Sequence, residues 1–260
     1  MTKKTLIRRL ALCAALAALI AGIAIVLAAA QRERDMHTCE GLDVILRDSL
    51  GFVTAEDVQK RLSNVYGSYI GQKMDSLNLA RIEEIIDAQS AVSKSEAYTT
   101  TDGRLHIMIW QREPVIRFQN GADGFYADSR GYIFPLQERS SIDVPIVDGS
   151  IPVKVGKDYK GEAHLSSEAA WIRDVIAMMD KISSDKRWKN FFVQYSVNSD
   201  GDLVLVPAQG QEFFLFGPPE DVTEKLERIE KYYQYILPSR GEGYYRTVNV
   251  KYKGQIICKK

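Results

Sequence analysis

The feature that most constrains this chain is an unbroken apolar run from Leu10 to Ala30, which contains no charged residue. At roughly 1.5 Å of rise per residue, a helix over this run is long enough to cross a hydrocarbon core of about 30 Å. The positive-inside rule predicts a cytoplasmic tail at 1–9, a transmembrane helix at 10–30 and a linker at 31–36. The rule applies because basic residues precede the run and the charges after it cancel: Lys3, Lys4, Arg8 and Arg9, then Arg32, Glu33, Arg34 and Asp35.

A cleaved signal peptide is the alternative interpretation of the same run. Ala28-Ala29-Ala30 offers the small-residue pattern that signal peptidases cut. The apolar core of a signal peptide is usually about 7–15 residues long, and this run is longer, which favours an uncleaved anchor. Under either interpretation, the remainder of the chain functions outside the cytoplasm.

The residues beyond the run are numerous enough for two domains of ordinary size. Lys and Arg together number 34, as do Asp and Glu, so no net charge attracts nucleic acid or an anionic surface. Two cysteines, Cys39 and Cys258, lie on the oxidising side of the membrane, where a disulfide can form. They stand at opposite ends of this part of the chain, so the sequence leaves open whether they pair or are two free thiols.

The first part of the exported chain reads as β-α-α-β-β. A strand at Leu42–Leu46 precedes a helix capped by Thr54 that ends near Leu62, and apolar residues at helical spacing predict a second helix through about Asp87. Two strands then flank Asp102-Gly103, a dipeptide that favours a tight hairpin turn.

The second part begins near Gln111–Pro114 and consists mostly of short apolar strands separated by turns. Ser167 is the expected cap of a helix that ends near Ile182, and Pro218 is expected to open another that Pro238 stops. The predicted fold class is therefore α+β: a single transmembrane helix, a small β-α-α-β-β module and a mostly antiparallel β-domain with two flanking helices.

Motifs for catalysis or metal binding are absent from the sequence. The three histidines, His37, His106 and His164, have no second ligand at metal-site spacing. Asp128 with Gly131 is better explained by a type I turn than by catalysis. A dense set of tyrosines in the last third is equally consistent with a protein-binding face and with half-buried aromatic residues: Tyr232, Tyr233, Tyr235, Tyr244, Tyr245 and Tyr252.

Taken in order, these features resemble the bacterial cell-division family FtsQ, also called DivIB. The resemblance is carried by the anchor, the β-α-α-β-β module and three segments: 111–114 (QREP), 125–136 (FYADSRGYIFPL) and 245–255 (YRTVNVKYKGQ). It implies a POTRA domain at 37–111 and a β-domain at 112–260. It also implies a non-enzymatic scaffold of the division machinery in the inner membrane at the septum, which binds the small bitopic proteins FtsB and FtsL and needs no cofactor or metal.

The end of the chain is the predicted partner site. Val248, Val250 and Tyr252 alternate with polar residues, as in a strand with one buried face, and the segment after Gly254 can form a further edge strand open to an incoming peptide. The resemblance also implies the FtsB contact here. The predicted contact residues are Tyr244, Tyr245, Val248, Val250, Lys251, Tyr252, Lys253, Gln255, Ile256 and Ile257. The alternative is an edge strand that its lysines merely keep soluble.

Two other function classes remain open at this point. A periplasmic enzyme would need catalytic residues brought together from distant parts of the chain, in a cleft with perturbed pKa values. A POTRA-type chaperone or secretion component would be expected to repeat its POTRA module, and the sequence contains one such module.

Overall fold

The computed structural model describes residues 14, 16–27, 38–137 and 139–260. These residues form two compact units. The first ends at Gln111, and the second consists of Leu50–Phe52 together with Arg112–Lys260. Phe52 packs on the rings of Tyr126 and Phe134, with centroids 5.9 and 6.2 Å away, so the short segment before the first helix belongs to the core of the second unit.

The predicted membrane span at Leu10–Ala30 lies partly outside the described residues. Its residues 16–27 are helical, and their side chains are exposed, including Ile25 and Val26. Among the helices of the described ranges, none combines the length and the apolar character that crossing a bilayer requires.

The first unit has the predicted β-α-α-β-β order. Its three-stranded sheet is mixed, because the first strand runs parallel to the central third strand and the second runs antiparallel to it. The elements are β1 (Gly41–Leu46), α1 (Ala55–Val65), a 3-10 turn (Met74–Ser76), α2 (Leu79–Asp87), β2 (Val92–Thr99) and β3 (Arg104–Gln111).

Local sequence signals explain both helices of this unit. Thr54 forms a capping box with Asp57, as its position predicts, and α1 continues to Val65 rather than ending at Leu62. Asn78 caps α2 by accepting a hydrogen bond from the Arg81 N–H. One face of each helix is buried together with the alternate residues of β3, which makes a single core: Val58, Leu62, Ile82, Ile85, Ile86, Leu105, Ile107 and Ile109.

The second unit is built on one nine-stranded sheet of the described residues, in the order β12-β11-β10-β9-β8-β7-β4-β5-β6. The prediction of a mostly antiparallel domain needs correction, since β4 with β7, β7 with β8, and β10 with β11 are parallel pairs. The strands are β4 (Ile116–Asn120), β5 (Asp123–Ala127), β6 (Ile133–Pro135), β7 (Ile146–Gly149), β8 (Phe192–Val197), β9 (Leu203–Pro207), β10 (Phe213–Gly217), β11 (Thr247–Asn249) and β12 (Ile257–Lys259).

The helices of this unit differ from the predicted ones at their ends. Ser167 does not cap the first helix, which begins one residue earlier with no side-chain cap, and Pro218 precedes the second helix by four positions instead of opening it. Pro238 lies in the first turn of a short last helix, where its missing N–H leaves no bond unmade. The helices are α3 (Ser166–Ser184), α4 (Val222–Lys231), a π turn (Tyr232–Ile236) and α5 (Leu237–Arg240).

A buried ion pair closes the turn at the start of this sheet. Arg112 Nη1 lies 2.7 Å from Asp128 Oδ2, and the guanidinium stacks 3.7 Å from the centre of the Tyr132 ring. Asp128 Oδ1 also accepts hydrogen bonds from the main-chain N–H groups of Arg130 and Tyr132. The turn predicted from Asp128 and Gly131 is present, with a bond from Gly131 N–H to Asp128 C=O, and the carboxylate holds the structure together.

Arg112→Ala is expected to lower the free energy of unfolding by about 3–5 kcal/mol, because it leaves the Asp128 carboxylate buried without its cation. Arg130→Ala is the matched control, since the Arg130 side chain is 76% exposed and 3.9 Å from the same carboxylate, and its loss should cost less than about 1 kcal/mol. Urea denaturation followed by circular dichroism measures both. Equal losses would contradict a structural role for the buried pair.

Candidate partner-binding edge

The two ends of the nine-stranded sheet differ in how they are covered. At one end, β6 is bridged by the loop after β7, where Ile133 and Gly161 exchange main-chain hydrogen bonds of 2.8 and 3.0 Å. At the other end, β12 pairs antiparallel with β11, and among the described residues no bridge covers its outer side. The C-terminal strand is therefore the open edge of this sheet.

The hydrogen bonds of β11 fix which groups of β12 face outward. Arg246 C=O and Val250 N–H both bond to β10, so Val248 between them also faces β10, and Thr247 and Asn249 face β12. Their partners, Lys259 and Ile257, direct their main-chain groups inward to β11. Strand alternation then directs the N–H and C=O of Cys258 to the open edge.

Two of the predicted contact residues are core residues. Val248 and Val250 are fully buried, and both belong to the hydrophobic cluster of the second unit. Their side chains cannot touch a partner while the unit is folded. They support the edge, and the prediction that they bind the partner directly is corrected accordingly.

Tyr252 does not share the buried face of Val248 and Val250. The strand ends at Asn249, whose Oδ1 accepts the N–H of Lys251 at 2.9 Å, and the chain then turns through Gly254 at a φ of 70°. The turn exposes half of Tyr252. Lys253 and Gln255 are also exposed, Ile257 is exposed on β12, and Tyr245 and Ile256 pack partly on the core.

Lys251 is held within the unit. Its Nζ lies 2.8 Å from both carboxylate oxygens of Asp202, which is nearly buried, and its methylene stem crosses Gly217, where a Cβ would lie 2.7 Å from Lys251 Cγ. The hydrogen bond to Asp202 raises the pKa of Lys251. This lysine clamps the β11–β12 connection onto the sheet, so it is not free to meet acidic residues of a partner, as the sequence predicted.

Two further buried cations support the same region from α4. Arg228 Nε donates to the C=O of Val250 at 2.9 Å, directly behind the end of β11. Lys225 Nζ donates to the C=O of Pro218 at 2.6 Å and lies 4.9 Å from the centre of the Phe216 ring. Burial lowers the pKa of Lys225. Sequence reasoning missed both residues, because each lies on the apolar stripe of an amphipathic helix where only aliphatic residues were expected.

An aromatic and cationic cluster lies beside β12. The rings of Tyr244 and Tyr245 meet edge to face with centroids 4.8 Å apart, and Lys260 Nζ lies 4.4 Å from the centre of the Tyr244 ring. The hydrogen bond from Lys260 lowers the pKa of Tyr244. Arg240 lies on another side of the same ring at 5.8 Å. This edge of the second unit is therefore aromatic and positively charged.

Both cysteines of the described ranges are free thiols. Cys39 is buried in the first unit, and Cys258 is half-buried on β12, where burial raises the pKa of its thiol. The question that the sequence left open is answered in favour of two unpaired thiols.

A hydroxyl, an imidazole and a carboxylate meet on the sheet of the first unit. Thr100 Oγ1 lies 2.9 Å from His106 Nε2, and His106 Nδ1 lies 3.6 Å from Asp43 Oδ2. Arg104 binds both carboxylate oxygens and lowers the pKa of Asp43, while the Thr100 hydroxyl donates to Asp102. The carboxylate and the hydroxyl are thus engaged in a surface network, and the ring of His106 is stacked on Tyr98. Nowhere in the described ranges do three metal-ligating side chains come together.

Comparison with protein families assigns both units. Residues 37–110 match a POTRA-like domain, and residues 113–259, more than half of the chain, match the FtsQ/DivIB C-terminal related family. The chain belongs to the FtsQ/DivIB-related family. A search of curated proteins found no match.

The match confirms the resemblance that the sequence suggested and the coarse fold. This chain is an FtsQ/DivIB-type protein with a POTRA-like module and a second unit rich in strands. FtsQ/DivIB proteins are non-enzymatic proteins of bacterial cell division. The open edge and its aromatic and cationic surroundings therefore belong to a division protein.

Lys251→Met is expected to lower the free energy of unfolding of this FtsQ/DivIB-type protein by about 1–3 kcal/mol, because it leaves Asp202 nearly buried without its cation. Lys253→Met is the control two residues away, since Lys253 is 86% exposed and only 4.0 Å from Glu224, and its effect should stay within about 0.5 kcal/mol. Urea denaturation of both variants decides the point. If Lys251→Met is as stable as wild type, the clamp has no structural role.

Proposed function

We propose that this protein is a membrane-anchored, non-enzymatic scaffold of the bacterial divisome. In this proposal the N-terminal run crosses the inner membrane once, with the N-terminus in the cytoplasm and both units in the periplasm at the septum. The C-terminal edge of the second unit binds FtsB- and FtsL-type bitopic proteins and links early to late division proteins.

The observation that carries the proposal is the open outer side of β12. A strand with unpaired N–H and C=O groups on its outer side is a template for a peptide that adds as a further strand. The exposed residues around it provide aromatic anchors and positive charge, with Tyr244, Tyr252, Lys253 and Lys260 on one surface patch. Membership of the FtsQ/DivIB-related family supports a partner from the division machinery.

The anchor is supported by the N-terminal run itself. The helical residues 16–27 expose large apolar side chains continuously, including Leu19 at 62% and Ile25 at 70%. Exposed apolar surface of this kind is costly in water and favourable in a lipid core. The basic residues that precede the run favour a cytoplasmic N-terminus.

Two substitutions on the full-length protein test the partner site. Tyr252→Ala should weaken binding to the FtsB-type protein of the same bacterium by about 1–3 kcal/mol if this ring is an anchor. Cys258→Pro removes the one N–H that β12 directs to the open edge and leaves the bonds of Ile257 and Lys259 to β11 intact. Binding of the purified partner in detergent is measured for each variant by microscale thermophoresis.

Cys258→Ala is the matched control, because it truncates the same side chain and keeps the outward N–H. The proposal expects Cys258→Ala to bind like wild type, within about twofold, and Cys258→Pro to bind at least tenfold more weakly. If Tyr252→Ala and Cys258→Pro both fold and bind with unchanged affinity, then the partner binds elsewhere, and strand addition at β12 is wrong.

A further inference from the structure

A second break in strand pairing lies in the interior of the same sheet, between β7 and β8. The two strands pair in parallel over three residue pairs, from Val147 with Tyr195 to Gly149 with Val197. The strand β8 begins three residues earlier, at Phe192, and these three residues have no pairing with β7. A cleft of about 660 Å³ lies between the separated segments 143–146 and 192–195, and we refer to it as the β7–β8 slot.

The opening is built into the chain at several points. Val193 is the extra residue of a bulge, because Phe192 pairs with Pro207 whereas Gln194 pairs with Val206, and bulges bend the strand that carries them. On the other side, Pro145 has no N–H, and its C=O accepts from Arg117 on β4. The segment before β7 is therefore held against β4, away from β8.

The closed end of the slot is fixed by a close approach of the two strands. A Cβ on Gly149 would lie 2.3 Å from the C=O oxygen of Val197, and Gly149 has a φ of 92°. Only glycine fits there, so the strands meet tightly at this end. The slot is consequently a wedge that narrows toward Gly149 and opens toward Ile146 and Val193.

The lining of the slot is apolar on its floor and walls. Met179 and Ile182 of α3 belong to the lining, together with Val144 and Ile146 before and on β7 and Phe192 and Val193 on β8. Ile146 is 48% exposed and Val193 is 67% exposed. Large apolar side chains left exposed on both walls of a cleft mark a place for another apolar group.

The charges at the slot favour a basic occupant. Asp143 and Asp148 line the β7 side, and Lys189 is the single cation of the lining. Asp148 Oδ2 accepts a hydrogen bond from Gln194 Nε2 at 3.2 Å, which keeps this carboxylate at the fork between the strands. The acidic side chains thus outnumber the basic one, so a Lys or Arg on the occupant gains a favourable contact.

We propose that the β7–β8 slot binds a short extended peptide of another protein, with apolar side chains at alternate positions and Lys or Arg beside them. The peptide lies between the unpaired segments of β7 and β8 as a strand of three or four residues, since three residues span about 10 Å. Its apolar side chains contact the floor formed by α3. This second docking site goes beyond the proposed function and does not depend on the β12 edge.

The test uses the full-length protein in detergent and a fluorescein-labelled peptide, Lys-Val-Thr-Val-Lys, with blocked ends. Fluorescence anisotropy should show saturable binding of this peptide. The matched peptide Glu-Val-Thr-Val-Glu should bind at least tenfold more weakly, because Asp143 and Asp148 repel it. Absence of saturable binding, or equal binding of the two peptides, would overturn the proposal.

Three variants locate the binding. Val193→Lys places a charge on the wall of the slot and should weaken binding of the basic peptide at least tenfold. Leu165→Lys is the matched control, since Leu165 is 58% exposed but lies outside the slot, and binding should change less than twofold. Cys258→Pro should also bind normally. A loss with Leu165→Lys equal to that with Val193→Lys, or a loss with Cys258→Pro, would mean that the peptide does not bind in the slot.

Discussion

Main-chain hydrogen bonding at the sheet boundaries is the constraint on which the second unit depends. Each edge strand leaves half of its N–H and C=O groups without a neighbouring strand, and a folded protein must cover that edge, blunt it or use it. The loop at Gly161 covers the β6 edge with two main-chain bonds. The β12 edge carries no such cover within the described ranges, and aromatic and basic side chains surround it instead.

The β12 edge is held in place by charged groups behind it. Asp202 and Lys251 join the β11–β12 connection to β9, and Arg228 holds the C=O at the end of β11. Buried cations are costly unless they are paired or hydrogen-bonded, so each of these contacts also fixes the position of the chain around it. A preorganised edge loses less conformational entropy when a partner adds to it than a mobile segment would.

The sequence predicted well what depends on short-range signals. Thr54 with Asp57, the Asp102-Gly103 hairpin and the turn at Asp128 each follow from residues within four positions of one another. Long-range pairing was not predictable in the same way. The parallel pair of β10 and β11 joins segments more than 30 positions apart, and strand β4 has an alternating pattern short enough to be missed.

The same distinction applies to the candidate site. The sequence indicated an edge near the C-terminus and the aromatic residues Tyr244 and Tyr252, which the structure exposes. It could not indicate that Lys251 is bound to Asp202, because 49 residues separate them and both residue types are ordinary on a surface. It also placed Val248 and Val250 in the contact set, although a strand with one buried face must give those positions to the core.

Amide hydrogen exchange of the full-length protein, with and without the FtsB-type partner, tests strand addition most directly. If the partner adds to β12, exchange of the Cys258 N–H should slow at least tenfold in the complex, because that group gains an acceptor. The amides of Ile257 and Lys259, which already face β11, should change much less. Unchanged exchange at Cys258 in a saturated complex, with protection confined to the first unit, would contradict the account.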